Sequence, residues 1–339
     1  MFTRAWRDLV QEDAVDPATP IIDPHHHLWP GEEPYQGGAY RLPELRQDLE
    51  SGHNIVATLY LECYANYDEA APAAFRPVGE TAYANGVGEE AERLGLRTRV
   101  CHGVISNIDL TAENLEAVLD AHAAAAPERL RGVRQLACWH PDAVGLFDTR
   151  PEYYREPRFR RGFARLAARG LTFDACLYHF QLPQLIDLAR AFPETTIIVD
   201  HFAQPLGVGP FAGRREQSFA ELRPLLAEVA RCPNVNLKMG GLGMWLTGFG
   251  WQDRERPATS DELAHATGKY FHWAIDQFGP DRCMFESNFP VDGAAASYAV
   301  TWNAHKKIAA RYTPQERSQM FYGVADRVYR LGGPTPRES

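Results

Sequence analysis

The stretch Ile21-Ile22-Asp23-Pro24-His25-His26-His27-Leu28-Trp29 runs from two apolar residues into three histidines. Residues two apart on a strand project to the same face. His25 and His27 therefore point together, and His26 points the other way. Two imidazoles converging at a strand end are a natural start for a metal site, because neutral imidazole suits zinc and related cations. The plain alternative is a polar turn after a buried strand, and the rest of the chain decides between the two.

Seven further runs have the length and β-branched character of strands: Ile55 to Cys63, Arg99 to Ile105, Gly132 to Ala137, Thr172 to Leu177, Thr196 to Asp200, Val235 to Met239 and Cys283 to Glu286. Between them lie amphipathic or alanine-rich segments that read as helices: Glu80 to Leu94, Ala112 to Ala125, Phe159 to Arg169, Leu182 to Ala191, Phe219 to Ala230 and Asp261 to Phe278. Two more, Ser297 to Arg311 and Pro314 to Tyr329, close the chain. Strands alternating with helices imply parallel pairing. Eight such units in 339 residues fit a (β/α)₈ TIM barrel. An open doubly wound sheet is the runner-up, but no Gly-x-Gly-x-x-Gly turn follows the first strand. We read residues 1–339 as a single domain, with an N-terminal extension over 1–18 and a frayed polar tail over 332–339.

Lys and Arg number 35 against 44 Asp and Glu, a net charge of −9. That balance argues against nucleic-acid and anionic-membrane partners. No apolar run approaches the ~20 residues needed to span a bilayer. The six cysteines form no Cys-x-x-Cys pair and most fall in or beside apolar runs, which reads as buried thiols in the cytoplasm. A small-molecule substrate is expected, and a homo-oligomer is left open.

A barrel carries its chemistry at the carboxyl ends of its strands. Reactive side chains gather there: His25 and His27 after the first strand, Glu62 on the second, Arg134 on the fourth, with His140 further on. His179 follows the fifth, Asp200-His201 the sixth, and Lys238 lies on the seventh. The eighth runs through Glu286, Asn288 and Asp292. These pieces, Asp23 to Trp29, Gly132-Val133-Arg134, His179, Asp200 to Pro205, Asn234 to Lys238 and Met284 to Pro290, resemble the amidohydrolase superfamily in its lactonase-like branch. The resemblance spans almost the whole chain in the family's order. It implies a distorted barrel and a hydrolytic site, often with one divalent metal. It also brings metal-free lactonases and zinc-dependent decarboxylases of aromatic acids into view.

On that reading, His25, His27 and His179 hold one divalent ion, zinc by preference. It would activate water for opening a lactone or a related ester or amide. His201 serves the substrate oxygen or shuttles a proton, and Arg134 orients an acidic substituent. The family usually has Asp where this chain has Asn288, and a neutral amide cannot act as a base. Glu286, Asp292 and Glu62 remain as candidate bases. The plain alternatives are a Glu286–Lys238 pair inside the barrel and Asp292 as a helix cap. Trp245, in the glycine- and aromatic-rich segment Gly240 to Glu255, reads as part of a lid or substrate wall. With Tyr35 and Tyr40 in the loop Glu32 to Arg41, it favours a ring-containing or hydrophobic substrate. His26 is expected to pack behind its strand.

Overall fold

The computed structural model describes residues 3–31, 38–142 and 149–337. Eight parallel strands follow one another in chain order. They are β1 (Pro20–His26), β2 (Asn54–Leu61), β3 (Arg99–Asn107), β4 (Leu130–Arg134), β5 (Thr172–Ala175), β6 (Ile197–Val199), β7 (Val235–Met239) and β8 (Cys283–Phe285). Helices such as Val78–Arg93, Arg215–Ala230 and Ser260–Phe278 link successive strands, so the sheet is the (β/α)₈ barrel that the sequence pattern predicts.

Two expected helices differ in detail. The segment expected over Phe159 to Arg169 is an α-helix over Pro157–Phe163 and a 3₁₀ turn over Ala167–Arg169, ended by Gly170 at φ 65°. The last helix contains a π segment, Gln319–Gly323, before it resumes at Val324–Tyr329. That final piece packs Val324, Val328 and Tyr329 against the inward residues Ile22, Leu59, Ile198 and Met284.

The barrel is least regular between β1 and β8. Beyond the end of β8, Phe289 forms an isolated bridge to His26 of β1. His27 N–H donates to Phe289 O at 2.8 Å and Asn288 N–H to His25 O at 2.9 Å. The carboxylate of Asp23 supplies what the ladder lacks. It accepts from Ser287 N at 3.0 Å, Ser287 Oγ at 2.6 Å and Tyr298 Oη at 2.9 Å. Asp23 is fully buried, and burial pushes its pKa up to about 6 against the pull of those donors.

Segments near both ends of the described residues are bonded to the barrel. Glu12 accepts from Ser260 N at 2.8 Å and from Asn303 Nδ2 at 3.1 Å. The tail expected to fray is instead pinned as far as Arg337, whose N–H reaches Arg97 O at 2.9 Å and whose guanidinium reaches Glu92 at 2.7 Å. Among the described residues, no helix is long and apolar enough to cross a membrane.

The seam yields a graded prediction. Tyr298→Phe removes one of Asp23's donors and lowers the unfolding free energy by about 1 kcal/mol. Asp23→Ala strands several buried donors and costs roughly 3 kcal/mol. Urea denaturation of the two variants checks the order.

Candidate active site

The carboxyl ends of the strands place a dense set of charges inside the barrel. Arg134, from β4, donates through Nε to Glu62 Oε1 at 2.7 Å and through Nη2 to Glu62 O. Its Nη1 reaches Asp200 Oδ2 at 3.4 Å. Lys238, from β7, donates to Asp174 Oδ1 at 2.5 Å and lies 3.2 Å from Asp200 Oδ1. All five residues are buried. Burial works against the charge on Asp200, but Lys238, His201 and Arg134 outweigh it and hold its pKa below the usual range. Burial prevails at Asp174, which is raised to about 6 despite Lys238.

Glu286 therefore does not take Lys238 as its partner. The lysine is occupied by Asp174 and Asp200, and Glu286 Oε1 instead accepts from His201 Nδ1 at 2.7 Å. Burial alone would lower His201, but the Glu286 carboxylate raises its pKa to about 9. Asp292 is not a helix cap either. It lies inside the 3₁₀ turn Val291–Ala294, and Ser297 caps the following helix. The Asp292 carboxylate accepts from Gly243 N at 3.1 Å and from Asn288 Nδ2 at 2.8 Å. Burial pushes its pKa up to about 7, with His201 and these donors pulling the other way.

One turn accommodates all three groups. A Cβ on Gly240 would come 2.4 Å from Glu286 Cγ. On Gly241 (φ +72°) it would come 2.5 Å from His201 Cβ, and on Gly243 2.8 Å from Asp292 Cγ. The glycines after β7 thus permit the backbone to pass directly over Glu286, His201 and Asp292. Opposite them, His201 to Gln204 all have positive φ, between 42° and 57°. Non-glycine residues adopt that conformation at a cost of roughly 1–2 kcal/mol each, and such strain concentrates at functional sites.

His25 lies at the middle of this arrangement. Its Nε2 is 3.2 Å from His27 Nε2 and 3.4 Å from Arg134 Nη1. Its Nδ1 is 2.8 Å from Glu286 Oε2, 3.7 Å from Asp200 Oδ1 and 3.4 Å from Lys238 Nζ. His27 Nδ1 faces Leu61 O at 2.9 Å, so that nitrogen carries the proton and Nε2 presents a lone pair. Burial, then Lys238, keeps His25 neutral, its pKa well below 6.5. A neutral His25 has one proton. On Nδ1, it leaves two bare Nε2 atoms facing each other at 3.2 Å. On Nε2, it leaves the Nδ1 lone pair 2.8 Å from a carboxylate oxygen. Either way two acceptors confront each other, a conflict that a bound cation relieves. Glu286 Oε2 and Asp200 Oδ1 also lack an aligned donor. His25, Asp200 and His201 offer ligand atoms within 4.8 Å of one another, a donor set that suits a divalent metal.

The remaining expected residues fall as follows. His179 is buried after β5, its ring 5.1 Å from Phe180 and its Nε2 3.8 Å from Glu221, away from the group around His25. Glu62 is held by Arg134. Asn288 sits at φ 50° and serves Asp292. Trp245 is 38% exposed in the turn after β7. Elsewhere in that loop, Phe249 and Trp251 stack at 5.3 Å and pack on the chain's own helices. Tyr40 is buried and donates to Asp48 at 2.8 Å, so it does not face a substrate, and Tyr35 lies outside the described residues. His26 packs behind β1, with burial lowering its pKa to about 4. Sequence reasoning missed Asp174 and the role of Asp200. Their signal is a carboxylate within strands that are otherwise apolar.

Because all three nitrogens of Arg134 are directed at protein groups, Arg134→Met should act mainly on stability. Removing one partner of a buried charge pair costs about 3–5 kcal/mol. Chemical denaturation measures this. A variant of unchanged stability with a raised KM would instead mark a substrate clamp.

Comparison with known proteins agrees with this geometry. The sequence profile of the amidohydrolase family matches residues 22–331. An uncharacterized protein of Sinorhizobium fredii, y4mH, is 33% identical over 92% of this chain and 98% of its own length. An L-fucono-1,5-lactonase of Burkholderia multivorans is 27% identical over 92% and 97%. A zinc-bound crystal structure of an amidohydrolase from Burkholderia multivorans superposes with a TM-score of 0.71 at 24% identity, covering 92% of this chain and 99% of that one. With its eight-stranded barrel and the charged group at the strand ends, the chain belongs to the amidohydrolase family and is a hydrolase.

Proposed function

We propose that this hydrolase opens lactones by adding water to the ring carbonyl, with Asp292 as the base. The observation that carries the reading is Asp292 itself. It is a buried carboxylate raised to about 7, held in place by Asn288 and Gly243. A base is most effective when its pKa lies near the working pH. The L-fucono-1,5-lactonase relative, aligned over 92% of this chain, supports the substrate class.

Asp292 takes a proton from the attacking water. The tetrahedral adduct then collapses, the ring C–O bond breaks, and the same carboxyl returns the proton to the leaving oxygen, giving a hydroxy acid. Glu286 fixes the orientation of His201 through Nδ1, which leaves Nε2 as that ring's remaining polar atom. Arg134 and Lys238 keep Asp200 ionised and in position. The residues that would hold a divalent cation, with zinc preferred by their chemistry, are His25, Asp200 and His201, with His27 beside them. When bound, it would polarise the carbonyl and lower the pKa of water.

Two outcomes test this. Asp292 must be ionised to accept a proton, so kcat/KM for a lactone rises with pH through about 7. Asp292→Asn removes that limb and lowers kcat/KM by ~10²–10⁴-fold. An unchanged profile in the variant assigns the base elsewhere. Elemental analysis of untagged protein should find about one divalent ion per chain, lost in His25→Ala while the fold is retained by circular dichroism.

A further inference from the structure

The opposite end of the barrel holds a cleft that the hydrolytic reading does not use. It measures about 720 Å³ and forms where three strands begin. Pro17 and Ala18 precede β1, Gly52 and His53 precede β2, and residues 94–98 precede β3. Chemistry in these barrels sits at the carboxyl ends of the strands, so the cleft is a separate place. β2 alone runs eight residues from Asn54, at the cleft, to Leu61, which precedes Glu62. At the rise of a strand that is roughly 25 Å.

The lining combines an aliphatic surface with an excess of positive charge. Leu49, Ile55 and Leu96 line it as buried side chains, and Leu94 is 59% exposed. Arg46 is paired with Glu50 at 2.7 Å. Arg97 makes no side-chain hydrogen bond or ion pair among the described residues, although its carbonyl accepts from Arg337 N–H at 2.9 Å. A second cation lies behind the wall. His53 Nε2 faces Ala299 O at 3.1 Å, which places the proton on Nε2 and leaves Nδ1 as an acceptor. Nδ1 accepts from Lys306 Nζ at 2.9 Å, and that ammonium also donates to Val15 O at 2.9 Å and Asp16 O at 2.8 Å. These acceptors are neutral, and among the described residues no carboxylate pairs with Lys306. Burial lowers its pKa to about 8, with Asp16 pulling the other way, so it stays mostly charged at neutral pH. Arg97 and Lys306 therefore leave a positive field at the cleft, in a chain whose net charge is −9.

We propose that this cleft binds a small aliphatic carboxylate, its chain against Leu49, Ile55, Leu94 and Leu96 and its head group on Arg97. The volume falls within the roughly 300–1,000 Å³ typical of small-molecule sites. The planar fork of a free guanidinium matches a carboxylate, and one such group suits one negative charge. Four aliphatic side chains suit a hydrocarbon chain better than a sugar. None of these residues belongs to the active site, so the inference stands apart from the lactone reading.

Calorimetry with octanoate and the whole protein tests it. Octanoate should bind with a Kd below about 1 mM. 1-Octanol, which has the same chain without the charge, should bind at least about tenfold more weakly, the factor that a charge-assisted hydrogen bond supplies. Octanoate should lose about as much on Arg97→Gln. Ala18→Trp, at an exposed position in the lining, fills the cleft and should abolish binding. The comparison of octanoate with octanol stands even if a variant fails to fold. No binding to the unaltered protein, equal binding of octanol, or unchanged octanoate affinity in either folded variant overturns the inference.

Discussion

Four carboxylates, Glu62, Asp174, Asp200 and Glu286, lie buried inside this barrel, and two cations, Arg134 and Lys238, are buried among them. Burying an isolated charge is far more costly than pairing it, so none of these groups is free to move alone. Asp200 joins the two halves of the network, since both Arg134 and Lys238 reach it. The strands that carry these residues, β4 to β7 with the end of β2, are therefore locked in relative position by charge as well as by backbone pairing.

The site follows from that lock. With Lys238 occupied, Glu286 is available to His201 and His25. Burial, with Lys238 near Nδ1 and Arg134 near Nε2, keeps His25 neutral. A neutral His25 cannot satisfy both of its close neighbours, and the histidine group is left with surplus lone pairs. The glycines after β7 allow one backbone turn to cover Glu286, His201 and Asp292 together. The bulk excluded at Gly240, Gly241 and Gly243 is what brings three titratable groups under a single loop.

Much of this was legible in the sequence, for identifiable reasons. Strand residues of a parallel barrel are buried on both faces, so Ile21-Ile22 or Thr196 to Val199 read as apolar runs whatever their partners. The convergence of His25 and His27 follows from the period of two along a strand. What sequence could not supply was partner choice. Glu286 had a plausible partner in Lys238, and only the inward position of Asp174 on β5 shows why that pair does not form. Asp292 has the composition of a helix cap, but the cap falls to Ser297 because a 3₁₀ turn intervenes. His179 follows its strand as His25 does, yet the 3₁₀ turn His179–Gln181 carries its ring toward Phe180 and Glu221. Such choices depend on loop geometry, where local pattern carries little information.

The measurement closest to the central claim is turnover of a lactone in ¹⁸O-labelled water, with mass analysis of the product. Hydrolysis with acyl–oxygen cleavage places one labelled oxygen in the carboxylate of a hydroxy acid, and this is the predicted result. Label confined to the alcohol oxygen would contradict the mechanism. Release of carbon dioxide from an aromatic acid, with no lactone opened, would contradict the assignment of the site to hydrolysis.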